Sequence, residues 1–371
     1  MKKVCYLSNI EGYMQSWIDF FIERGWKVYN ISRHNTKLKV NPQLKEYKLP
    51  LNIYIGFPLH LYLIYKIIKK IKPDIVHAQN MQSYGIYATA IRDFPLIIHE
   101  GGPDHMKTSK NIQRFIEKMA YKRADLITTE MEENKSILSK EYHIEKNKIK
   151  SLLWGVDLSV FNRNYKEEVE KLKKRLEICP EDFVMISNRG LNERSGYKQL
   201  LYILKEVKKN YSSIKMVLFK SVCIDVKLQN YYEIKKMIEK MNLTKNVILL
   251  DPVPRREIPI YLNIADVAIN LLELDNGSSA IAEQMACGCI VIGIDNIGYR
   301  GRIINDKNGF LFKDRNNIKE IADVIKLCIK NPEIKEKFYK YNKKYLLKYE
   351  NWYIQMNKME KIYIDLINEY K

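Results

Sequence analysis

The stretch with the most available chemistry runs from Ala265 to Asp295 and reads ADVAINLLELDNGSSAIAEQMACGCIVIGID. An apolar run at 267–272 leads into the polar loop 273–279. A helix-forming stretch follows, with Ser279 as a candidate N-cap and Gly288 as its left-handed close. A second apolar run occupies 290–294. A loop so placed in a strand–helix–strand unit lies at the carboxyl end of the first strand, where open α/β sheets bind ligands. Gly277, Ser278 and Ser279 allow close approach to the backbone, and N–H groups that open a helix favour phosphate. Asp275 and Glu283 stand eight positions apart, and both can face that crevice. Each carboxylate can accept from separate hydroxyls of a sugar or ribose. The alternative is structural: Asp275 and Asn276 make a turn, and Glu283 is a solvated helix residue beside a favourable dipole.

The elements that must position this loop are legible around it. Apolar runs at 4–8, 28–32, 74–79, 96–100, 126–129 and 150–154 are expected strands, separated by helical spacing at 15–24, 59–71 and 112–123. The pattern restarts at 183–187, 216–219 and 247–250 and continues through 267–272 and 290–294. Near-continuous apolar strands alternating with helices imply parallel sheets covered on both faces. Two such series imply two doubly wound α/β domains. The length of 371 residues, about 2.5 times a common ~150-residue domain, agrees. The expected domains are 1–165 and 166–348, with the boundary inside 155–182 beside the charge-rich stretch 164–176. A final helix over 349–371 carries Trp352, Met356, Met359 and Tyr363 on one stripe and needs a surface to bury against, which either domain could supply, the first by packing back on it.

Composition narrows the class. Hydrophobic residues at 46% and charged residues at 29% exclude collagenous or wholly disordered chains. A formal net charge of +19 implies a negative partner: nucleic acid, an anionic membrane or a phosphorylated small molecule. No recognisable nucleic-acid module with interleaved aromatics is present, so nucleic acid is not expected. No apolar run reaches transmembrane length, and the start lacks the apolar core of a signal peptide, so a cytoplasmic protein is expected. Cys5, Cys179, Cys223, Cys287, Cys289 and Cys328 are scattered without a CxxC pair and are expected to be buried, reduced thiols. GxGxxG, GxxxxGK[ST] and DxD are all absent, which argues against a dinucleotide fingerprint, a P-loop and a metal-bridging Asp pair.

The pattern of Asp275, seven further positions, Glu283 and then Met285-Ala286-Cys287-Gly288 resembles the family 4 retaining glycosyltransferases (glycosyl transferases group 1) of the GT-B fold. The usual form in that family is Glu-Gly-Phe-Gly-x-x-x-x-Glu-Ala-Met-Ala-x-Gly. Asp275 stands for the first Glu, one methylene shorter, and Asn276 replaces a Gly. Three further segments resemble the family in order and spacing: LWGVDLSVF at 153–161, DPVPRREIPIYLNIADV at 251–267 and DKNGFLF at 306–312. The resemblance implies two Rossmann-like, doubly wound parallel-sheet domains facing a central cleft. It implies a hexosyltransferase-type enzyme that moves a sugar, with retention, from a nucleoside-diphosphate sugar to a glycan or lipid-linked acceptor. No metal or other cofactor is required on this reading. A sugar-nucleotide 2-epimerase and a non-catalytic partner subunit of the same fold are the alternatives.

The resemblance also assigns residues. Asp275 is expected on the donor sugar, Glu283 on the ribose and the backbone of Val253 near the base. Arg189, in ISNRGLNERSGYKQLL, matches the family's diphosphate-binding Arg, while its Lys falls on Ser195; the second cation must then come from Arg194 or Lys198, or be absent. With Gly277, Ser278, Ser279 and Asn276, these form the expected donor site, and charge stabilisation of the leaving diphosphate is its main device. In the first domain only Gly12 remains of the family's Gly-rich turn. In IIHEGGPDHM at 97–106, His99 rather than His105 is the candidate for the family's His beside the sugar; an ordinary strand-end residue is the alternative. Stretch 49–74 interleaves Tyr62, Tyr65, Ile64, Ile67 and Ile68 with Lys66, Lys69, Lys70 and Lys72. It is either a helix lying on an anionic bilayer, giving peripheral membrane contact, or a core-facing helix with a solvated lysine face. A role in cell-surface polysaccharide or glycolipid synthesis follows from such an acceptor.

Overall fold

The computed structural model describes residues 1–10, 13–34, 40–50, 53–101, 111–220 and 228–370. Gly12, His105 and Cys223 lie outside the described residues. The chain divides into two compact units, Met1–Trp154 with Ile354–Lys371, and Gly155–Tyr353.

The first unit contains β1 (Lys3–Leu7), β2 (Lys27–Ser32), β3 (Lys45–Lys48), β4 (Ile75–Gln79), β5 (Leu96–Glu100), β6 (Leu126–Thr129) and β7 (Ile149–Ser151). Between them run α1 (Tyr13–Glu23), α2 (Ile53–Ile71), α3 (Asn111–Arg123) and α4 (Glu132–Tyr142). The strands form one parallel sheet in the order β3-β2-β1-β4-β5-β6-β7. Its central strands are buried at every position of β4 and β5, as the apolar runs require. The charged β3 (KEYK) carries no apolar run, and its position at the sheet edge explains why the sequence pattern misses it.

The second unit contains β8 (Phe183–Ser187), β9 (Ile214–Phe219), β10 (Val247–Leu250), β11 (Val267–Asn270), β12 (Ile290–Ile294) and β13 (Gly309–Phe312). Its helices are α5 (Lys166–Arg175), α6 (Tyr197–Lys208), α7 (Leu228–Lys240), α8 (Ile258–Asn263), α9 (Ser279–Ala286), α10 (Ile318–Lys330) and α11 (Glu333–Tyr349). The order is β10-β9-β8-β11-β12-β13, again all parallel. Side chains of alternate strand residues face two separate apolar layers. Met185, Met216, Ile269 and Ile292 point to one, and Ile186, Val217, Ala268 and Val291 to the other. The segment Gly309–Phe312, part of a turn motif in the sequence, is the edge strand beside β12.

α12 (Trp352–Glu369) returns the chain to the first unit. Its Tyr363 stacks on Phe21 at 5.0 Å, and Tyr363 OH shares a 2.5 Å hydrogen bond with His77 Nδ1. The division falls at Trp154 rather than at 165, because Val156 and Phe161 already pack in the second unit's core. There Val156 N–H donates to Glu350 O (2.7 Å) and Trp352 N–H to Val156 O (3.0 Å). Gly155 has φ +75°, and a Cβ would lie 3.0 Å from Glu350 O, so only glycine fits where the two segments cross.

Helix α2 directs Ile64, Ile68 and Ile71 into the first unit's core, while Leu59, Tyr62, Tyr65, Lys66, Lys69 and Lys70 face outward. Cys5, Cys287, Cys289 and Cys328 are buried thiols, whereas Cys179, in the turn before β8, is exposed and departs from that expectation. Among the described residues no helix is long and apolar enough to cross a membrane.

Candidate active site

Arg189 follows β8 and Asp275 follows β11. These neighbouring strands lie where the chain order turns from one side of the sheet to the other, the switch point at which α/β sheets bind ligands. Arg189 Nη2 donates to Asp275 Oδ2 and also to Ser278 Oγ. Tyr299 OH donates to the same Oδ2 at 2.9 Å, and the Asn276 N–H donates to Oδ1 at 2.9 Å. Asp275 is thus a turn former and the hub of a half-buried charge cluster at once. Burial works against the Arg189 charge, but Tyr299 and Asp275 hold its pKa above the usual range. Burial, with Asp275 adding to it, pushes the Tyr299 phenol up, so its proton stays on the oxygen. Among the described residues Arg189 Nε is buried with no hydrogen-bond partner.

The helix after the loop begins one residue earlier than the candidate cap suggested. Ser278 is the N-cap, its Oγ accepting from Ala280 N–H at 3.2 Å, and Ser279 is the first helical residue. Gly277 (φ +74°) supplies the left-handed turn before it, and Gly288 (φ +83°) the left-handed end. Glu283 is not solvated: its side chain is 4% exposed, and Oε1 accepts from Arg255 Nη2 at 2.6 Å. That guanidinium lies over the Phe161 ring at 5.2 Å. Neighbouring Gln284 exchanges amide hydrogen bonds with Asn270 (2.8 and 3.2 Å) and donates to Asn188 Oδ1 (2.7 Å). This amide network ties α9 to the ends of β8 and β11.

A second loop, 295–302, braces the first. Gly298 presses against it so closely that a Cβ would lie 2.5 Å from both Asp275 O and Gly277 N. Arg302 donates from Nη1 to Ser278 O (3.0 Å) and Gly298 O (3.1 Å). Its Nε and Nη2 make a two-point pair with Glu350 (2.8 and 2.6 Å), both side chains at most 3% exposed. Sequence reasoning missed Tyr299, Gly298, Arg302 and Arg255. Only the last had a signal, a basic pair beside the expected base-contacting loop.

The remaining expected donor residues are arranged as follows. Val253 is half-buried in the loop after β10. Arg194 lies on the exposed turn Glu193–Ser195, and Lys198 is exposed with its ammonium 5.6 Å from the Tyr197 ring centre. Ser195 occupies the family's Lys position because this chain uses it to close the turn. Its hydroxyl donates to Asn192 O (2.7 Å), and its N–H donates to Asn192 Oδ1 (2.9 Å).

In the first unit, His99 is the penultimate residue of β5 and is buried, with both ring nitrogens engaged. Nδ1 lies 3.1 Å from Thr128 Oγ1 and Nε2 3.2 Å from Glu130 Oε1. A carboxylate only accepts, so the proton belongs on Nε2. Glu130 Oε1 also accepts from Trp154 Nε1 at 2.8 Å, and the Trp154 ring meets His99 edge-on at 5.1 Å. Burial, reinforced by His99, drives the His77 pKa well below the usual histidine range, so it is neutral. Among the described residues no group of three or more His, Cys, Asp or Glu is arranged to hold a metal ion.

The pattern of the glycosyl transferases group 1 family matches residues 168–345, and that of the glycosyl transferase 4-like family matches residues 3–131. The chain is 30% identical over 133 residues to an uncharacterized glycosyltransferase of Methanocaldococcus jannaschii, a match spanning 36% of this chain and only 31% of that protein. It is 23% identical over 341 residues to the alpha-monoglucosyldiacylglycerol synthase of Acholeplasma laidlawii, spanning 85% of this chain and 81% of that one. Among solved structures, sucrose-phosphate synthase from Thermosynechococcus elongatus has the same fold, with a TM-score of 0.85 at 14% identity over 100% of both chains.

Proposed function

The chain belongs to the glycosyl transferases group 1, the family 4 glycosyltransferases of GT-B fold, and from that membership we propose a retaining, metal-independent transfer from a nucleoside-diphosphate sugar to a lipid-linked or glycan acceptor. One observation carries the reading most: Arg189, Asp275 and the Ser278 helix cap converge at the switch point of the second unit's sheet. Such a cluster matches a leaving diphosphate next to a sugar. Arg189 and the N-terminus of α9 take the diphosphate, Asp275 the sugar hydroxyls and Glu283 the ribose, with the Val253 backbone near the base. Arg194 or Lys198 supplies the second cation. The C1–O bond to the diphosphate breaks while the acceptor hydroxyl attacks the same face, and its proton passes to the leaving phosphate. Guanidinium charge, rather than a metal ion, stabilises that leaving group.

A lipid-linked acceptor is supported by the Acholeplasma relative, whose name describes a glucosyldiacylglycerol product, and by the outward face of α2. There Lys66 lies 4.6 Å from the Tyr62 ring centre and Lys69 5.6 Å from that of Tyr65, beside exposed Leu59. Basic and aromatic side chains on one face suit an anionic headgroup layer. On this reading the enzyme works at the cytoplasmic face of a membrane in glycolipid or cell-surface polysaccharide synthesis.

A thermal-shift screen of nucleoside diphosphates and their sugars identifies the donor, since a ligand that binds only the folded state raises the midpoint by mass action. With that donor, Asp275→Asn and Arg189→Ala are each expected to cut turnover about 10²–10³-fold, the range seen when one charge-stabilising group is lost. A chelator should leave the rate unchanged, and the product anomer should match the donor's. Near-normal rates in both variants would sink the site, and inversion would sink the mechanism.

A further inference from the structure

The structure assigns Tyr299 as a positioning residue: its hydroxyl fixes the short Asp275 carboxylate in place when the donor diphosphate engages Arg189. This rests on the reading of Asp275 as the donor-sugar contact. Asp275 Oδ2 accepts from two donors, Arg189 and Tyr299, which uses both of its lone pairs. Among the described residues Oδ1 accepts from the neighbouring Asn276 N–H alone, leaving a lone pair there for a sugar hydroxyl. The two donors on Oδ2 differ in what they can do. Arg189 also reaches Ser278 Oγ at the helix N-terminus, and its buried Nε has no partner among the described residues, so it has capacity for a phosphate oxygen. A diphosphate that draws the guanidinium weakens its hold on Asp275.

Tyr299 has no such freedom. It is fully buried, and its ring lies against Gly293 on β12, where a Cβ would come within 2.8 Å of Tyr299 Cδ2. Its backbone carbonyl accepts from Arg302 N–H (3.1 Å) and Ile303 N–H (2.9 Å), and its own N–H donates to Asn296 O (3.1 Å). Ring and backbone are therefore locked, and the hydroxyl is presented at one point. The chain thus has an explanation for tolerating Asp where a longer carboxylate is usual. Aspartate has one fewer rotatable bond, and a fixed phenol beside it limits the remaining rotation.

The test is a two-by-two set: wild type, Tyr299→Phe, Asp275→Asn and the double variant. The donor is whichever of UDP-glucose, UDP-galactose, UDP-N-acetylglucosamine, GDP-mannose or ADP-glucose most raises the wild-type unfolding midpoint. Calorimetry then measures that sugar nucleotide and its free nucleoside diphosphate, and donor turnover is followed by diphosphate release. Tyr299→Phe is expected to lower kcat 10–100-fold while free diphosphate affinity stays within about twofold. In the Asp275→Asn background it should cost less than about threefold more, because the two groups act as a unit. A structural role alone would weaken diphosphate and sugar nucleotide together and add its cost in both backgrounds. Full kcat in Tyr299→Phe with Asp275→Asn impaired overturns the assignment and leaves the active site standing. An unimpaired Asp275→Asn, or no donor bound by the wild type, overturns the underlying site and the assignment with it.

Discussion

Replacing Arg302 with Met removes the guanidinium of the best-buried ion pair among the described residues of the second unit and keeps an unbranched apolar stem. Arg302 and Glu350 are 3% and 2% exposed, and two hydrogen bonds of 2.8 and 2.6 Å join them. Burial opposes the guanidinium charge, yet Glu350 more than offsets it, and the pKa is held above the usual arginine range. The variant leaves the Glu350 carboxylate with Tyr345 OH at 2.9 Å as its nearest remaining donor. It also strips a charged donor from the carbonyls of Ser278 and Gly298. Breaking such a pair by removing one partner costs about 3–5 kcal/mol, because the other charge stays buried. For a unit of about two hundred residues, each kcal/mol is worth roughly 2–4 °C, so the midpoint of the second unit should fall by roughly 6–20 °C.

Scanning calorimetry and urea titration measure this directly, and the double variant Arg302→Met with Glu350→Gln separates the causes. Removing both charges should recover more than half of the loss, since a neutral amide is far easier to bury than a lone carboxylate. Donor affinity in Arg302→Met should fall as well, because the Ser278 cap is no longer held from behind. A single-variant cost below about 1 kcal/mol, or a double variant worse than either single, would refute the reasoning. It would mean that water or another donor compensates Glu350 as well as Arg302 does.

The same pair of loops and the buried His77 give two more expected outcomes. Gly298→Ala places a methyl 2.5 Å from Asp275 O and Gly277 N, neither of which can move without displacing the donor loop. The expected result is at least a tenfold loss of kcat/KM with a stability cost of only about 1–3 kcal/mol, the range for a small overpacking; unchanged kinetics would show that the loop has slack. His77 is buried neutral, its pKa lowered by burial and by His99. A histidine depressed in the folded state gives stability that is complete above its unfolded pKa of about 6.5 and is lost as pH falls below it, by up to ~1.4 kcal/mol per unit. His77→Gln should flatten the urea stability of the first unit between pH 6.5 and 5 relative to wild type, and parallel curves would rule the residue out as the source.

How much of this was legible depended on whether a residue's role was local. Strands β4, β5, β6, β8 and β12 were readable because each is an apolar run buried on both faces. β3 was not, because an edge strand of alternating charge looks like a loop. Asp275, Ser278 and Glu283 sit on one loop and helix, so their spacing exposed them. Arg189 needed the family resemblance, since eighty-odd residues separate it from Asp275, and only the parallel pairing of β8 with β11 joins them. Tyr299, Gly298 and Arg302 act across the gap between two loops and through backbone carbonyls, which no side-chain pattern records. Ser195 shows the opposite failure. A motif position expected to hold a cation is used to close a turn, and the backbone geometry alone reveals that.

The excess of 19 positive charges now has a more specific meaning at this site. Both carboxylates assigned to the donor already face a guanidinium, Asp275 that of Arg189 and Glu283 that of Arg255. In each pair the acid is the more buried member, with side chains 11% and 4% exposed against 23% and 39% for the arginines. A sugar or ribose hydroxyl can join such a carboxylate, but, being neutral, it cannot replace the positive charge beside the acid. A diphosphate can compete for the guanidinium, but in doing so it sets two anionic groups side by side around one cation. On the proposed donor site, sugar hydroxyls and the fixed Tyr299 phenol then hold the acid through neutral hydrogen bonds. On that reading the groups that hold the acid without carrying charge, Tyr299 and the Asn276 N–H, serve the sugar while Arg189 serves the diphosphate.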